Sequence, residues 1–210
     1  MGISNTTRRE VAEMRHVILQ EFLSVDGLAA GPGDSVAFVP AANSNDQSFG
    51  DRQREFLDSI DTILLGRKTY EMFSGYWPKV PAGPEKDFAD RLNAIPKVVF
   101  SRTLDRAPWG DWDDARVVGT DAAQEVERLK QQPGGDMVIW GSISLAQILL
   151  KAGVIDDIQL VICPVVLGEG RRLFDGQSAL GEMTLRHTRS FDRGSVLLSY
   201  TPAMVPASAP

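Results

Sequence analysis

The chain has 210 residues, closer to the span of one domain with tails than of two. Its 22 Lys and Arg stand against 28 Asp and Glu, a formal net charge of −6, which argues against a nucleic-acid partner because neutralising phosphates needs a basic surface. One cysteine, Cys163, and two histidines, His16 and His187, exclude an intrachain disulfide framework and a His-rich or multi-thiolate metal centre. Hydrophobic residues at 43% and charged residues at 24% are globular proportions that support a sizeable core. With a single thiol, the chain reads as a cytoplasmic protein of a reducing compartment.

Residues 1–14 read as a polar tail without the apolar stretch of a secretory signal. Gly2 and Thr6 satisfy the short myristoylation pattern, which a polar tail also matches by chance. His16–Phe22 (HVILQEF) reads as a buried strand. A long loop with Gly27, Gly31, Pro32 and Gly33 as breakers follows, and loops of that length are usually functional or mobile. In Asp46–Ile60 the apolar residues Phe49, Phe56, Leu57 and Ile60 fall near helical spacing. Thr62–Leu65 is a strand running into Gly66-Arg67-Lys68-Thr69 and a helix at Tyr70–Phe73; Glu85–Asn93 is a further helix.

Lys97–Phe100 is a strand ending at Ser101-Arg102-Thr103, and Arg116–Val118 a short one. Ala122–Gln131 is a helix stopped by Pro133-Gly134-Gly135. Met137–Trp140 (MVIW) is a strand, after which Gly141-Ser142 opens the helix Ile143–Lys151. Ile158–Val166 is a long apolar strand, with Cys163 buried and inert inside it. Thr184–Phe191 and Ser195–Thr201 form an antiparallel hairpin through Asp192-Arg193-Gly194. Residues 202–210, rich in Pro, Ala and Ser, are a second tail. No 18-residue apolar run marks a membrane span. Strands alternating with helices predict one α/β domain over 15–201, with a mostly parallel sheet flanked by helices and an antiparallel C-terminal hairpin.

Open α/β sheets bind ligands at the carboxyl ends of their strands. At one such end, Gly66 permits a tight turn into a helix start, where unpaired N–H groups, Arg67, Lys68 and Thr69 suit an anion. At the second, Ser101 and Arg102 suit a phosphate monoester, because a guanidinium fork matches its oxygens. At the third, Gly141 permits close backbone approach and Ser142 is placed to cap the next helix. Each reads alone as an ordinary turn or cap. Together they fit a dinucleotide carrying a 2′-phosphate, and no GxGxxG with a downstream acid marks an NAD-type Rossmann unit.

The segments SVDGLAAG (24–31), LLGRKTYEMFSGYWP (64–78), VVFSRTL (98–104) and MVIWGSISLAQILLKAGVIDDIQLVICPVVLGEGRRLF (137–174) resemble the dihydrofolate-reductase-like superfamily. Within it the chain is most similar to the branch holding the reductase domain of the bifunctional riboflavin-biosynthesis deaminase-reductase. The resemblance covers nearly all of the chain, and the 137–174 block is its most specific part. It implies an eight-stranded α/β fold and NADPH as cofactor. Gly66, Arg67, Lys68 and Thr69 would then line the cofactor's phosphates, and Ser101 and Arg102 would meet its 2′-phosphate. Gly141, Ser142, Ile143 and Leu145 would hold the pyrophosphate and the nicotinamide ribose. The segment with Ser24 and Gly27 would close over the nicotinamide, and the loop of Glu169, Arg171 and Arg172 would face the ligand edge.

Two departures from the family's pattern stand out. Gly141-Ser142 replaces the Gly-Gly pair of dihydrofolate reductases. Trp140 replaces the Glu with which riboflavin-pathway reductases recognise the substrate's sugar, so an acid that bonds hydroxyls has given way to an apolar aromatic. For the proton donor, Asp51 lies 15 residues before Gly66, with Asp46 and Glu55 as rivals. Trp77 either walls the substrate pocket, with Trp140, or packs the core.

The resemblance therefore implies an NADPH-dependent reductase delivering hydride to a C=N or C=O group of a small, pterin- or pyrimidine-like heterocycle. The alternatives are 5-amino-6-(5-phosphoribosylamino)uracil reduction and an NADP-binding sensor without turnover. Apolar residues of 158–166 and 184–201 near a sheet edge predict a homodimer.

Overall fold

The computed structural model describes residues 14–174, 176 and 181–203; most of both predicted tails, including Gly2 and Thr6, lies outside them. Strand β1 (Val17–Ser24) leads through a 3-10 turn (Pro32–Asp34) to α1 (Phe38–Asn43) and α2 (Gln47–Ser59). Strand β2 (Ile60–Gly66) passes directly into α3 (Arg67–Tyr76), and a second 3-10 turn (Trp77–Lys79) precedes α4 (Lys86–Ala94). Then come β3 (Lys97–Phe100), β4 (Ala107–Trp109), β5 (Trp112–Val118), α5 (Ala122–Lys130), β6 (Asp136–Trp140) and α6 (Ile143–Ala152). Strands β7 (Asp157–Cys163), β8 (Met183–Ser190) and β9 (Val196–Pro202) complete the order.

The strands make one nine-stranded sheet, ordered β4-β5-β3-β2-β6-β1-β7-β9-β8. From β5 to β7 all neighbours are parallel, while β4, β9 and β8 pair antiparallel. This is the predicted α/β architecture, with one strand more than the resemblance implies. Strand β4 carried no sequence signal, since three residues around Pro108 are too short for any period to show. Strand β7 stops at Cys163 rather than Val166, because Pro164 has no N–H to give the ladder. The loop after β1 folds α1 over β7, where Phe38 and Ala42 pack with Val161, Cys163 and Leu197.

The apolar runs split between the two faces of the sheet because successive side chains point oppositely. Val17, Leu19, Leu64 and Ile139 pack with Leu145, Ala146 and Leu149 of α6 and Val126 and Leu129 of α5. Their neighbours Ile18, Ile63, Leu65, Val138 and Trp140 pack on the other face with Phe56 and Leu57 of α2, Tyr70 of α3 and Leu92 of α4. Burial on both faces is why these strands read as continuous apolar runs. Strand β8 is a sheet edge, mostly exposed, with Leu185 and His187 in solvent. No helix among the described residues is long and apolar enough to cross a membrane.

Candidate active site at the carboxyl edge of the sheet

The carboxyl ends of β3, β2, β6, β1 and β7 share one edge of the sheet, and Gly66 stands in register with Phe100. Arg67 and Ser101 therefore leave adjacent strands side by side. Gly66 N–H donates to Ser142 Oγ at 2.7 Å, and a Cβ on Gly66 would lie 3.3 Å from the Ser142 Cβ. Gly141 turns with φ +51, its Cβ direction facing Thr69 Oγ1 at 3.5 Å. The starts of α3 and α6 thus lie against one another.

Ser142 does not cap its helix as the sequence suggested. It adopts a left-handed conformation, φ 59, which is uncommon for a non-glycine residue. Its hydroxyl spans to β2 and donates to the Trp140 carbonyl at 3.3 Å. Neither α3 nor α6 has a side-chain cap, whereas Asp46 caps α2 and Asp121 caps α5. Two adjacent uncapped starts aim unpaired N–H groups and two positive dipole ends at the same edge, which is how a fold receives an anion.

Cations surround these starts. Arg67 is half-exposed and reaches Glu71 only at 3.8 Å, and the exposed Arg102 makes no side-chain hydrogen bond or ion pair among the described residues. Ser101 Oγ accepts the N–H groups of Thr103 and Leu104 at 3.2 Å each, fixing the turn that carries Arg102. Lys68 Nζ donates to Asp34 Oδ2 at 2.6 Å, and Arg171 Nη1 donates to Asp34 Oδ1 at 3.2 Å. Arg171 also gives Nη2 to Ser144 Oγ at 3.1 Å on the first turn of α6. Bonds from Lys68 and then Arg171 hold the Asp34 carboxyl below the usual carboxylate range. A carboxylate of the chain itself thus bridges cations beside both helix starts. Sequence reasoning missed Asp34, whose partners come together only in the fold.

The segment after β1 is docked on the loop that carries Gly170 and Arg171. Ser24 is buried, and its Oγ accepts Leu28 N–H at 3.0 Å. Gly27, with φ +79, faces Arg172. Ala29 N–H donates to the Arg171 carbonyl at 2.7 Å and Arg171 N–H returns to Ala30 at 2.8 Å. Gly170 makes this approach possible, since a Cβ there would fall 2.0 Å from the Ala30 carbonyl oxygen.

Beneath that segment β1 outruns β6. Their pairing ends at Gln20 with Trp140, while β1 continues to Ser24 against β7 alone. Peptide groups of even-numbered β1 residues turn toward β6, as the Met137 N–H to His16 carbonyl bond establishes, so those of Phe22 lie where the two strands part, beyond the last β1–β6 pair. Phe22 N–H is met there by Glu21 Oε1 at 3.2 Å. Glu21 is 4% exposed, and its Oε2 has no partner among the described residues. Burial pushes its carboxyl up to about 8, against the smaller opposing effect of the Phe22 N–H.

On the α2 face, Gln20 Oε1 accepts Trp140 Nε1–H at 2.7 Å and Gln53 Nε2–H at 3.0 Å, while Gln20 Nε2–H donates to Gln159 at 3.2 Å. Two depressions, of about 410 and 330 Å³, lie at the opposite, amino edge of the strands, the first lined by His16 and Asp157 and the second by Arg15 and Lys97. No pair of helix starts converges on either.

A family model for the RibD C-terminal domain matches residues 15–197. The chain belongs to that family. It is 32% identical over 189 residues to the uncharacterized protein YyaP of Bacillus subtilis, covering 90% of this chain and 95% of that one. A solved protein of Shewanella sp. PV-4, named for riboflavin biosynthesis, superposes with a TM-score of 0.69 at 19% identity, over 89% of this chain and 98% of its own. Dihydrofolate reductase from Enterococcus faecalis, complexed with NADP(H), gives 0.58 at 14% identity over 90% and 96%. At such identities these likenesses speak for the fold, which is dihydrofolate-reductase-like.

Against the RibD-family pattern, the remaining predicted residues divide. Trp140 is 4% exposed and packs edge-on against Phe56, with ring centroids 6.1 Å apart. Trp77 is half-buried against Phe73 and Phe88. Both belong to one aromatic wall behind the α2 face. Asp51 is about half-exposed, accepts from Gln47 and Arg54, and is held below the usual range chiefly by Arg54. That setting favours the ionised carboxylate, the reverse of what a proton donor needs. Asp46 is occupied as a helix cap and Glu55 pairs with Arg189 in solvent.

Proposed function

We propose that this RibD-family domain is an NADPH-dependent reductase acting on a C=N or C=O group of a small heterocycle, pterin- or pyrimidine-like. The observation that carries the reading is the pair of uncapped helix starts beside the point where β1 and β6 part. The N–H groups of Arg67, Lys68 and Thr69 on α3, and of Ile143, Ser144 and Leu145 on α6, would hold a pyrophosphate. Lys68 and Arg171 would exchange Asp34 for its oxygens. Arg67 and Arg102 would meet a 2′-phosphate at the ends of β2 and β3. NADPH, when bound, supplies the hydride, while the protein binds, orients and excludes water. The docked 24–31 segment is suited to that exclusion.

Trp140 bears on the substrate. Its indole N–H is committed to Gln20, so no carboxylate stands there to bond sugar hydroxyls, which disfavours the phosphoribosylaminouracil of riboflavin biosynthesis. Titrating NADPH into the protein, then following its oxidation across a panel of pterins, pyrimidines and small carbonyl compounds, tests the reading. Saturable NADPH binding with oxidation by one class of heterocycle is expected. Absence of NADPH binding overturns the proposal, and binding without oxidation across the panel leaves a nucleotide-binding module instead.

The same reading includes a homodimer in the cytoplasm, covering the exposed edge around β8 and Leu185. Light scattering at tens of micromolar should give twice the chain's 23.0 kDa; a clean monomer would sink the dimer.

A further inference from the structure

A buried carboxyl with a free oxygen is unusual, because polar groups withdrawn from water are normally bonded. Glu21 is such a group, and the strand geometry locates it. Its Oε1 reaches the Phe22 N–H, which points toward β6 beyond the last β1–β6 pair. The carboxyl therefore lies where β1 and β6 part, on the face that Leu19 and Leu23 share with α6. Oε2 makes no bond there among the described residues.

The Phe22 N–H engages only one of the two carboxyl oxygens, so it does not account for the acid. The neighbouring core positions Leu19, Leu23, Leu160 and Ala146 are apolar, and among the described residues no ionised side chain contributes to the titration of Glu21. In strand β1 the acid forfeits the burial energy a leucine would gain and leaves an oxygen unbonded. Groups kept at such a disadvantage tend to serve a ligand.

Given the cofactor reading above, on which this inference rests, a planar head group leaving the α3 and α6 starts would reach the point where β1 and β6 part. We propose that Glu21 is the side chain that recognises the carboxamide of the nicotinamide ring, pairing with it as acid to amide. The acid O–H donates to the carboxamide oxygen, and the acid carbonyl oxygen accepts a carboxamide N–H. Such a pair needs the carboxyl neutral, and its burial keeps it so at neutral pH. No proton or electron is transferred; the residue orients the ring.

The experiment measures equilibrium binding rather than turnover. NADPH and its 3-acetylpyridine analogue, in which a methyl ketone replaces the carboxamide, are titrated into wild-type protein, Glu21→Gln and Glu21→Leu. Wild type should prefer NADPH about threefold to tenfold, the scale of one neutral hydrogen bond. Glu21→Gln, whose side-chain amide still donates and accepts, should keep that preference. Glu21→Leu should lose it and bind NADPH about tenfold more weakly while folding at least as stably. Equal affinity of wild type for the two nucleotides overturns the inference even if Glu21→Leu fails to fold. Undiminished NADPH binding and preference in Glu21→Leu overturns it as well and leaves the reductase reading standing. Failure of wild type to bind NADPH overturns both.

Discussion

Between about pH 5 and about pH 7 the unfolding free energy of the wild-type protein should fall by roughly 1.4 kcal/mol per pH unit, and in Glu21→Leu that slope should disappear. The Glu21 carboxyl titrates near 8 in the folded protein, against an ordinary value of 4.5. Between those values the folded state holds a proton that the unfolded chain has released, so stability is greatest below the lower value and is lost as pH rises through the upper. At about pH 7 the accumulated loss is about 3 kcal/mol. The other shifted carboxyls and Lys97 act elsewhere. Asp26, Asp34, Asp46, Asp51 and Glu125 are all lowered, so their contributions are lost only as pH falls toward the acid range. Lys97, buried over the Trp109 ring, is lowered to about 7 from 10.5, so its burial weighs on stability at low pH and is relieved as pH rises above about 7. Urea unfolding at a series of pH values decides the matter. Parallel profiles for wild type and variant would mean that Glu21 is solvated or paired in the folded protein.

The central strands were legible because a parallel sheet covered on both faces demands unbroken apolar runs: VILQ, TILL and MVIW read plainly as strands, and all lie in the middle of the sheet. Gly66 and Gly141 were legible as the turns from strand to helix. What the sequence could not display is where two strands part. The acid in HVILQEF stands out as a charge inside an apolar run, yet its meaning depends on β6 ending at Trp140 while β1 continues, a fact of register rather than of composition. Asp34 was hidden for the same reason, since Lys68 and Arg171 lie far from it in the chain. Ser142 misled because a serine before a helix is normally its cap; here the glycine before it and the close approach of β2 draw its hydroxyl across to Gly66. Spacing from Gly66 nominated Asp51, but spacing carries no information about Arg54, whose guanidinium keeps that carboxyl ionised.

The largest change in ligand affinity is expected from Arg67→Ala and Arg102→Ala together. Both residues emerge from adjacent strand ends, β2 and β3, held in register at Gly66 and Phe100. Among the described residues neither is committed elsewhere: the contact of Arg67 with Glu71 is a long surface pair of little energetic weight, and the turn fixed by Ser101 presents Arg102 to solvent. A charge-assisted contact to a phosphate is worth about one to two decades of affinity. Arg102→Ala alone should therefore weaken NADPH roughly tenfold or more, and the double variant roughly a hundredfold or more if the two contacts are independent. NADH has no 2′-phosphate and should bind all three proteins nearly alike. Because the site is open to solvent, the difference should also shrink as salt is raised, the Debye length falling from about 10 Å at 0.1 M to about 3 Å at 1 M. Calorimetric titration of both nucleotides at two salt concentrations separates the cases. A selective, salt-sensitive loss for NADPH assigns the 2′-phosphate to these arginines. An equal loss for NADH would mean that they hold the turns in shape, and the NADP preference would then have to be sought in another part of the edge.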